Sequence, residues 1–288
     1  MYEKFYGLSS DPFRLSPSER PCFDHAGYKR AKSYMRYALG KREGVLLLTG
    51  IPGTGKSSLI DEYVREAGGS DLVLAEIVSS RFGADDLLRT VAMRFDVKAE
   101  DVARFSLLVH LEKRLRALRE QGRRAVLVID EAQGLDADAL EEIRGLTNLT
   151  VGHEPLLQVF LVGQPALADL IRSPGLEQLH QRVIAACRLD PLTEDEVEDY
   201  VEHCLTTSGW QGNPSLDADI YPPLHRESLG IPRRVNLICS RLFLYGMVRE
   251  LRHLKEADVI SVLRDLRREG LLVTVDRPDA AEASREES

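Results

Sequence analysis

The sequence predicts an α/β protein: a three-layer αβα core around a parallel sheet, followed by a smaller all-helical domain. Three observations carry that prediction. Short apolar runs alternate with helical patterns from Val45 to Leu189, the mark of parallel strands joined by crossover helices. Gly50-Ile51-Pro52-Gly53-Thr54-Gly55-Lys56-Ser57 matches the phosphate-loop pattern G-x-x-x-x-G-K-[ST], whose required context is a strand before it and a helix after it. From Pro191 onward the strands cease and amphipathic helical patterns follow one another.

Taken in order, residues 1–24 are aromatic and interrupted at Asp11-Pro12, Ser16-Pro17 and Arg20-Pro21, so they read as an ordered lead-in and not a domain. The core is expected over 25–190. Ala31, Tyr34, Met35, Ala38 and Leu39 mark a helix over 26–39. Strands are expected at 45–49, 72–78, 125–129, 156–162 and 183–189. Helices are expected at 57–67, 84–95, 105–120, 136–149 and 165–171. The helical domain is expected over 191–272. Thr193-x-x-Glu196 opens its first helix as a capping box, the cluster Gly209 to Pro214 ends that helix, and helical patterns recur at 217–228, 232–249 and 256–269. A last strand is expected at 271–275. Residues 273–288 form a charged tail without apolar periodicity, expected to be disordered. No internal repeat is present.

The phosphate loop implies a nucleoside triphosphate. Its glycines let the backbone curl against an anion, and the helix that follows points its positive dipole end at the phosphates. Lys56 would reach the β- and γ-phosphates and Ser57 would ligate Mg²⁺. Hydrolysis needs a second carboxylate. Val126-Leu127-Val128-Ile129 is an apolar strand that ends in Asp130-Glu131, and open α/β sheets place their ligands at such carboxyl ends. Asp130 would help hold the metal and Glu131 would orient or deprotonate the attacking water. Gln164 ends another strand, where it would face the γ-phosphate or the water, or else cap the helix over 165–171. In the helical domain Gly230-Ile231-Pro232-Arg233-Arg234 opens a helix with proline at an early position, from which an arginine could fold over the phosphates. Arg182 and Arg188 flank the last strand of the core, and either could serve as an arginine finger in a neighbour's site.

Composition bounds the rest. A chain of 288 residues with 43% hydrophobic side chains can bury a large core. Its net charge of −8 exerts no global pull on nucleic acid or anionic lipid. Cys22, Cys187, Cys204 and Cys239 have no paired or metal-ligand spacing, which suits reduced thiols in a cytoplasmic protein. No stretch reaches 18 apolar residues, and Asp11, Glu19 and Asp24 interrupt the place of a signal peptide. There is no H-E-x-x-H, G-x-S-x-G or calcium-loop motif.

The order of phosphate loop, Asp-Glu strand end, polar strand end, arginine and Gly-x-Pro-Arg helix resembles an AAA+ ATPase of the initiator and origin-recognition style. Met1-Tyr2-Glu3-Lys4-Phe5-Tyr6-Gly7-Leu8, the segment Asp11 to Pro17, Asp130-Glu131-Ala132-Gln133 and Val162-Gly163-Gln164-Pro165 are together similar to the ExeA/GspA family of general-secretion and PEP-CTERM/exosortase-associated ATPases. The resemblance spans residues 1 to about 270. It implies ATP with Mg²⁺, contacts from Gly50 through Ser58, Gln164 as a first sensor, Arg233 as a second sensor in a helical lid, and Arg182 as the finger with Arg188 as the alternative. It further implies a homo-oligomeric ring such as a hexamer and a protein partner at the inner face of a membrane machine for secretion, exopolysaccharide export or surface-protein sorting. Two departures stand out. Relatives commonly carry Lys-Thr-Thr where this chain has Lys56-Ser57-Ser58, and a histidine where it has Tyr28; the serine retains the metal-binding hydroxyl. Many relatives continue into a membrane span and a periplasmic region, so this chain is expected to be a truncated or a soluble member. A different reading is a DNA-associated ATPase resembling transposition regulators, for which Lys113-Arg114-x-Arg116 and Arg264 to Arg268 would track a backbone and against which the acidic charge weighs. A nucleotide-gated scaffold without catalysis is opposed by Glu131.

Overall fold

Strands in a parallel sheet covered on both sides must be apolar at successive positions, because alternate side chains enter opposite layers. A computed structural model describing residues 1–14, 22–67, 71–79 and 82–272 shows that arrangement. The chain divides into two units, one of residues 19–191 and one of residues 1–18 with 192–288.

In the first unit, β1 (Val45–Thr49), β2 (Leu72–Val78), β3 (Arg124–Asp130), β4 (Leu157–Gly163) and β5 (Val183–Arg188) form one parallel sheet in the order β2-β3-β4-β1-β5. Val45, Leu47, Leu127, Ile129, Val159 and Leu161 join a core with helices Ala84–Arg94, Arg104–Glu120 and Ala137–Thr147. Leu46, Leu48, Val126, Val128, Phe160 and Val162 enter the opposite layer with Ala26–Lys41 and Lys56–Ala67. Full burial of one Leu or Phe side chain contributes about 1.5–3 kcal/mol, so a slip of one residue along any strand would exchange the layers at large cost.

Register sets the site. Thr49 stands beside Gly163, Ile129 beside Leu161, and Val78 beside Asp130, so the carboxyl ends of the middle strands finish at a common edge. Sequence periodicity did not reveal the two-residue antiparallel pairing of Thr150–Val151 with Glu154–Pro155, or the one-turn helix Glu177–His180. Elements this short lack a measurable period.

The second unit carries the helices Glu194–Thr207, Tyr221–Ser228, Pro232–Val248 and Glu256–Arg268. The capping box forms: Thr193 Oγ1 accepts from the Glu196 amide at 3.3 Å, and the Glu196 carboxylate accepts from the Thr193 amide at 3.1 Å. Ser215–Leu216 pairs in parallel with His253–Leu254, two strand fragments that were not expected in a helical domain. The expected strand at 271–275 does not begin among the described residues. Gly270 takes a left-handed φ of 71°, and the amides of Leu271 and Leu272 turn back onto the Leu266 carbonyl, closing the helix end instead. Residues 273–275 and the expected tail at 273–288 lie outside the described residues, as do the breaks at Ser16-Pro17 and Arg20-Pro21.

The aromatic opening has a definite place within this unit. Tyr2–Tyr6 forms a short helix, and Tyr2, Tyr6 and Phe13 set their rings edge-on to Phe243 at 5.8, 5.4 and 5.2 Å. Such pairs contribute about 0.5–1.5 kcal/mol each beyond burial. A Cβ on Gly246 would stand 2.4 Å from the Tyr6 hydroxyl, so glycine in helix Pro232–Val248 makes room for that ring.

Candidate active site

The phosphate loop leaves β1 at Gly50 and enters the helix Lys56–Ala67. Gly53 and Gly55 have φ of 88° and 97°, conformations that cost a side chain about 1 kcal/mol or more. Gly50 is needed for space, since a Cβ there would lie 2.6 Å from the Leu189 carbonyl. Lys56 is buried and donates to the carbonyls of Gly50 at 2.8 Å and Ile51 at 3.2 Å. Burial pulls its ammonium below the usual lysine range, and the charges of Glu131 and Asp130 oppose that shift. A buried cation inside a glycine-lined turn at a helix start is an anion receptor.

The hydroxyl of Ser57 donates to Asp130 Oδ2 at 3.0 Å, while Asp130 Oδ1 accepts from the Glu131 amide at 2.8 Å. Two hard oxygens about 3 Å apart suit adjacent positions on an octahedral Mg²⁺, whose bonds are about 2.0–2.1 Å long. Ser57 and Asp130 therefore fit the metal that the motif implies, and no cluster of three acidic, His or Cys side chains competes for it among the described residues.

Directly after β3 the chain turns sharply. Glu131 adopts a left-handed φ of 53° and ψ of 34° before the single turn Ala132–Gly134, an uncommon conformation for a residue with a side chain. Its carboxylate is held by two amides: Gln133 Nε2 and, at 3.3 Å, Gln164 Nε2 both donate to Oε2. Gln133 Oε1 in turn accepts from the Gln164 backbone amide at 3.0 Å. Gln164 thus faces Glu131, while the helix Ala166–Ile171 that follows has no side-chain cap.

Lys56, Ser57, Asp130, Glu131 and Gln164 come together, and Arg182 and Arg188 of the same unit bond other partners. Arg182 is exposed just before β5, with its guanidinium on Asn148 Oδ1. Arg188 is exposed and pairs with Asp190 at 2.7 Å. Arg233 belongs to the second unit, in the first turn of Pro232–Val248, and is exposed. Packing within that unit accounts for its neighbours: Gly230 has φ of 66° and a Cβ on it would meet the Leu192 carbonyl at 2.0 Å, and Pro232 occupies N1. Sequence reasoning gave no role to Gln133 beyond its place in a family motif, nor to Asn148. A polar residue two positions after a strand-end acid was the available signal for Gln133, and it has no period to betray it.

A family described as an AAA domain matches residues 39–171. General secretion pathway protein A of Aeromonas hydrophila is 34% identical over 272 residues, 92% of this chain and 49% of that protein. The chain thus spans about half the length of the curated relative it matches. Among solved structures, Cdc6p of Pyrobaculum aerophilum superposes with a TM-score of 0.70 at 18% identity, covering 90% of this chain and 71% of that one. The ORC2 protein of Aeropyrum pernix, in its ADPNP-ADP complexes, superposes with a TM-score of 0.66 at 13% identity over 87% and 71%. These two likenesses establish the fold.

Proposed function

Since the chain belongs to the AAA+ ATPase family related to general secretion pathway protein A, we propose that it binds and hydrolyses Mg-ATP as a nucleotide-dependent homo-oligomer, and so powers or switches a secretion, exopolysaccharide-export or surface-protein-sorting machine. The observation that carries the proposal is the placement of Lys56, Ser57, Asp130, Glu131 and Gln164 at one sheet edge. Residues Gly50 to Ser58 cradle the phosphates, and Lys56 leaves its loop carbonyls for the β- and γ-phosphate oxygens. Ser57 and Asp130 would hold Mg²⁺, which when bound would neutralise charge on the phosphates. Glu131 takes a proton from the attacking water, and Gln164 fixes both the carboxylate and the water. Arg182 of one copy completes the site of the next, and Arg233 is the nucleotide sensor of the helical lid formed by residues 191–272. No helix among the described residues is long and apolar enough to cross a membrane. We place the chain on the cytoplasmic side, reaching the inner membrane through a protein partner.

Two variants test this. Lys56→Ala should lose the thermal stabilisation that Mg-ATP gives the wild-type chain, about 2.7 kcal/mol at a hundredfold over Kd. Glu131→Gln should keep that stabilisation and hydrolyse about 10²- to 10⁴-fold more slowly. Equal stabilisation of wild type and Lys56→Ala would refute the binding site, and undiminished phosphate release from Glu131→Gln would refute the base.

A further inference from the structure

Glu131 leaves β3 in a left-handed conformation with its carboxylate anchored on one side only. Both amide donors, Gln133 Nε2 and Gln164 Nε2, bond Oε2, and no hydrogen bond reaches Oε1 from the described residues. The Glu131 carboxylate could otherwise sample several rotamers, and selecting one costs entropy. A general base must present one oxygen to water in one orientation, so anchoring Oε2 leaves Oε1 for that task.

Gln133 is itself fixed by β4. Its Oε1 accepts from the Gln164 amide at 3.0 Å and lies over Gly163, where a Cβ would come within 2.4 Å of it. Gly163 is an ordinary strand residue with no positive φ, so the backbone itself does not demand glycine there. A Cβ there would instead have to displace Gln133 Oε1 and the Leu167 side chain, the latter 2.9 Å from it. Residues from two strand ends are therefore joined through one side chain, from the Gln164 backbone through the Gln133 amide to the Glu131 carboxylate.

We infer that Gln133, seated in the gap left by Gly163, is the positioning residue that orients Glu131 for water activation. The inference rests on the hydrolytic reading above. Gln133→Glu separates positioning from mere packing: its carboxylate still accepts from the Gln164 amide, but it cannot donate to Glu131 and sets a like charge beside it. The expected result is a kcat about 10²-fold lower with Mg-ATP still bound at a similar Kd. A wild-type kcat in Gln133→Glu would overturn the inference. Where that variant does not fold, Gln133→Met, of similar shape and without either hydrogen bond, carries the same expectation and the same refutation.

A cycle with Gly163 supplies an independent reading. Gly163→Ala should displace Gln133 and lower kcat in the wild-type background, yet cost clearly less in a Gln133→Ala background, because the nearest atom it displaces is gone and the Leu167 side chain alone remains in its way. Equal losses in the two backgrounds would overturn the inference. Glu131→Gln serves as the reference in both experiments. If it is inactive while Gln133→Glu is normal, only the positioning role falls; if Glu131→Gln turns over at the wild-type rate, the hydrolytic assignment falls and takes the positioning role with it.

Discussion

Strand β4 carries a glutamine at each end, and the two differ in what they bond. Gln158, buried near the amino end, donates to the backbone carbonyls of Ala38 at 2.8 Å and Glu43 at 3.3 Å. Gln164, half-buried just past the carboxyl end, donates to the Glu131 carboxylate. The first ties a helix end, whose Ala38 carbonyl also accepts from the Arg42 amide, to the Glu43 carbonyl of the loop that follows. The second belongs to a group of side chains that bond one another: Ser57 to Asp130, Gln133 to Glu131, Gln164 to Glu131. On this strand the glutamine that serves the backbone holds the fold, whereas the one that serves another side chain can be rearranged by a ligand. That contrast separates scaffold from site along a single strand.

Arginines put the contrast under the greatest strain. Arg182 and Arg124 both lie at the amino ends of strands, but Arg124 donates to the Leu39 carbonyl at 3.3 Å, and Arg182 donates to the Asn148 side chain. On the partner rule Arg182 is the movable one. As a finger acting across a subunit interface it would contribute roughly 10³- to 10⁵-fold in rate, so Arg182→Ala should bind Mg-ATP and hydrolyse almost none. Mixing Arg182→Ala with Lys56→Ala, one supplying intact nucleotide sites and the other intact fingers, should restore turnover that rises with protein concentration. Silence from a mixture that still co-assembles in sedimentation would discard Arg182 and leave Arg188 as the candidate.

The glutamines themselves give the direct comparison. Gln164→Met should lower kcat by about 10²-fold with little change in melting temperature. Gln158→Met should do the reverse, costing about 1–3 kcal/mol of stability by leaving the Glu43 carbonyl without its side-chain donor and the Ala38 carbonyl with the Arg42 amide as its remaining partner, with hydrolysis per folded molecule unchanged. Denaturant unfolding and phosphate release, measured on both variants, decide it. Matching losses in both measurements for both variants would dissolve the distinction.

The smallest expected effect comes from a cluster that mixes both kinds of partner. Glu62 accepts from the Cys22 amide at 3.1 Å, the Tyr28 hydroxyl at 2.9 Å and the Lys32 ammonium at 2.7 Å. Burial by itself would raise its carboxyl, but these bonds outweigh it and bring the group from 4.5 down to about 2. Because the folded value is the lower one, the stability that Glu62 contributes is complete above about pH 4.5 and lost as pH falls toward 2. The stability gap between wild type and Glu62→Gln should therefore narrow on acidification over that range. A gap independent of pH would show that the ionised carboxylate contributes nothing.

Much of this molecule was legible before any coordinates. The five sheet strands, the helices of the first unit other than Glu177–His180 and the helices of the second unit that follow Pro191 could be placed from periodicity and capping signals, to within a few residues. The loop Gly50 to Ser57 and the acids Asp130 and Glu131 were legible because phosphate binding and strand-end carboxylates impose residue types at fixed local spacing. What local spacing does not contain is which strands become neighbours. Burying both faces of the sheet set the order β2-β3-β4-β1-β5, and that order inserts β4 between the phosphate-loop strand and the Asp130 strand. Only then does Gln164 meet Glu131, Gln133 find the gap at Gly163, and the opening tyrosines close on Phe243. Each of these contacts joins residues that are distant in the chain or lack a period. Their partners were settled by whole layers packing together, a cooperative choice that no short window of sequence records.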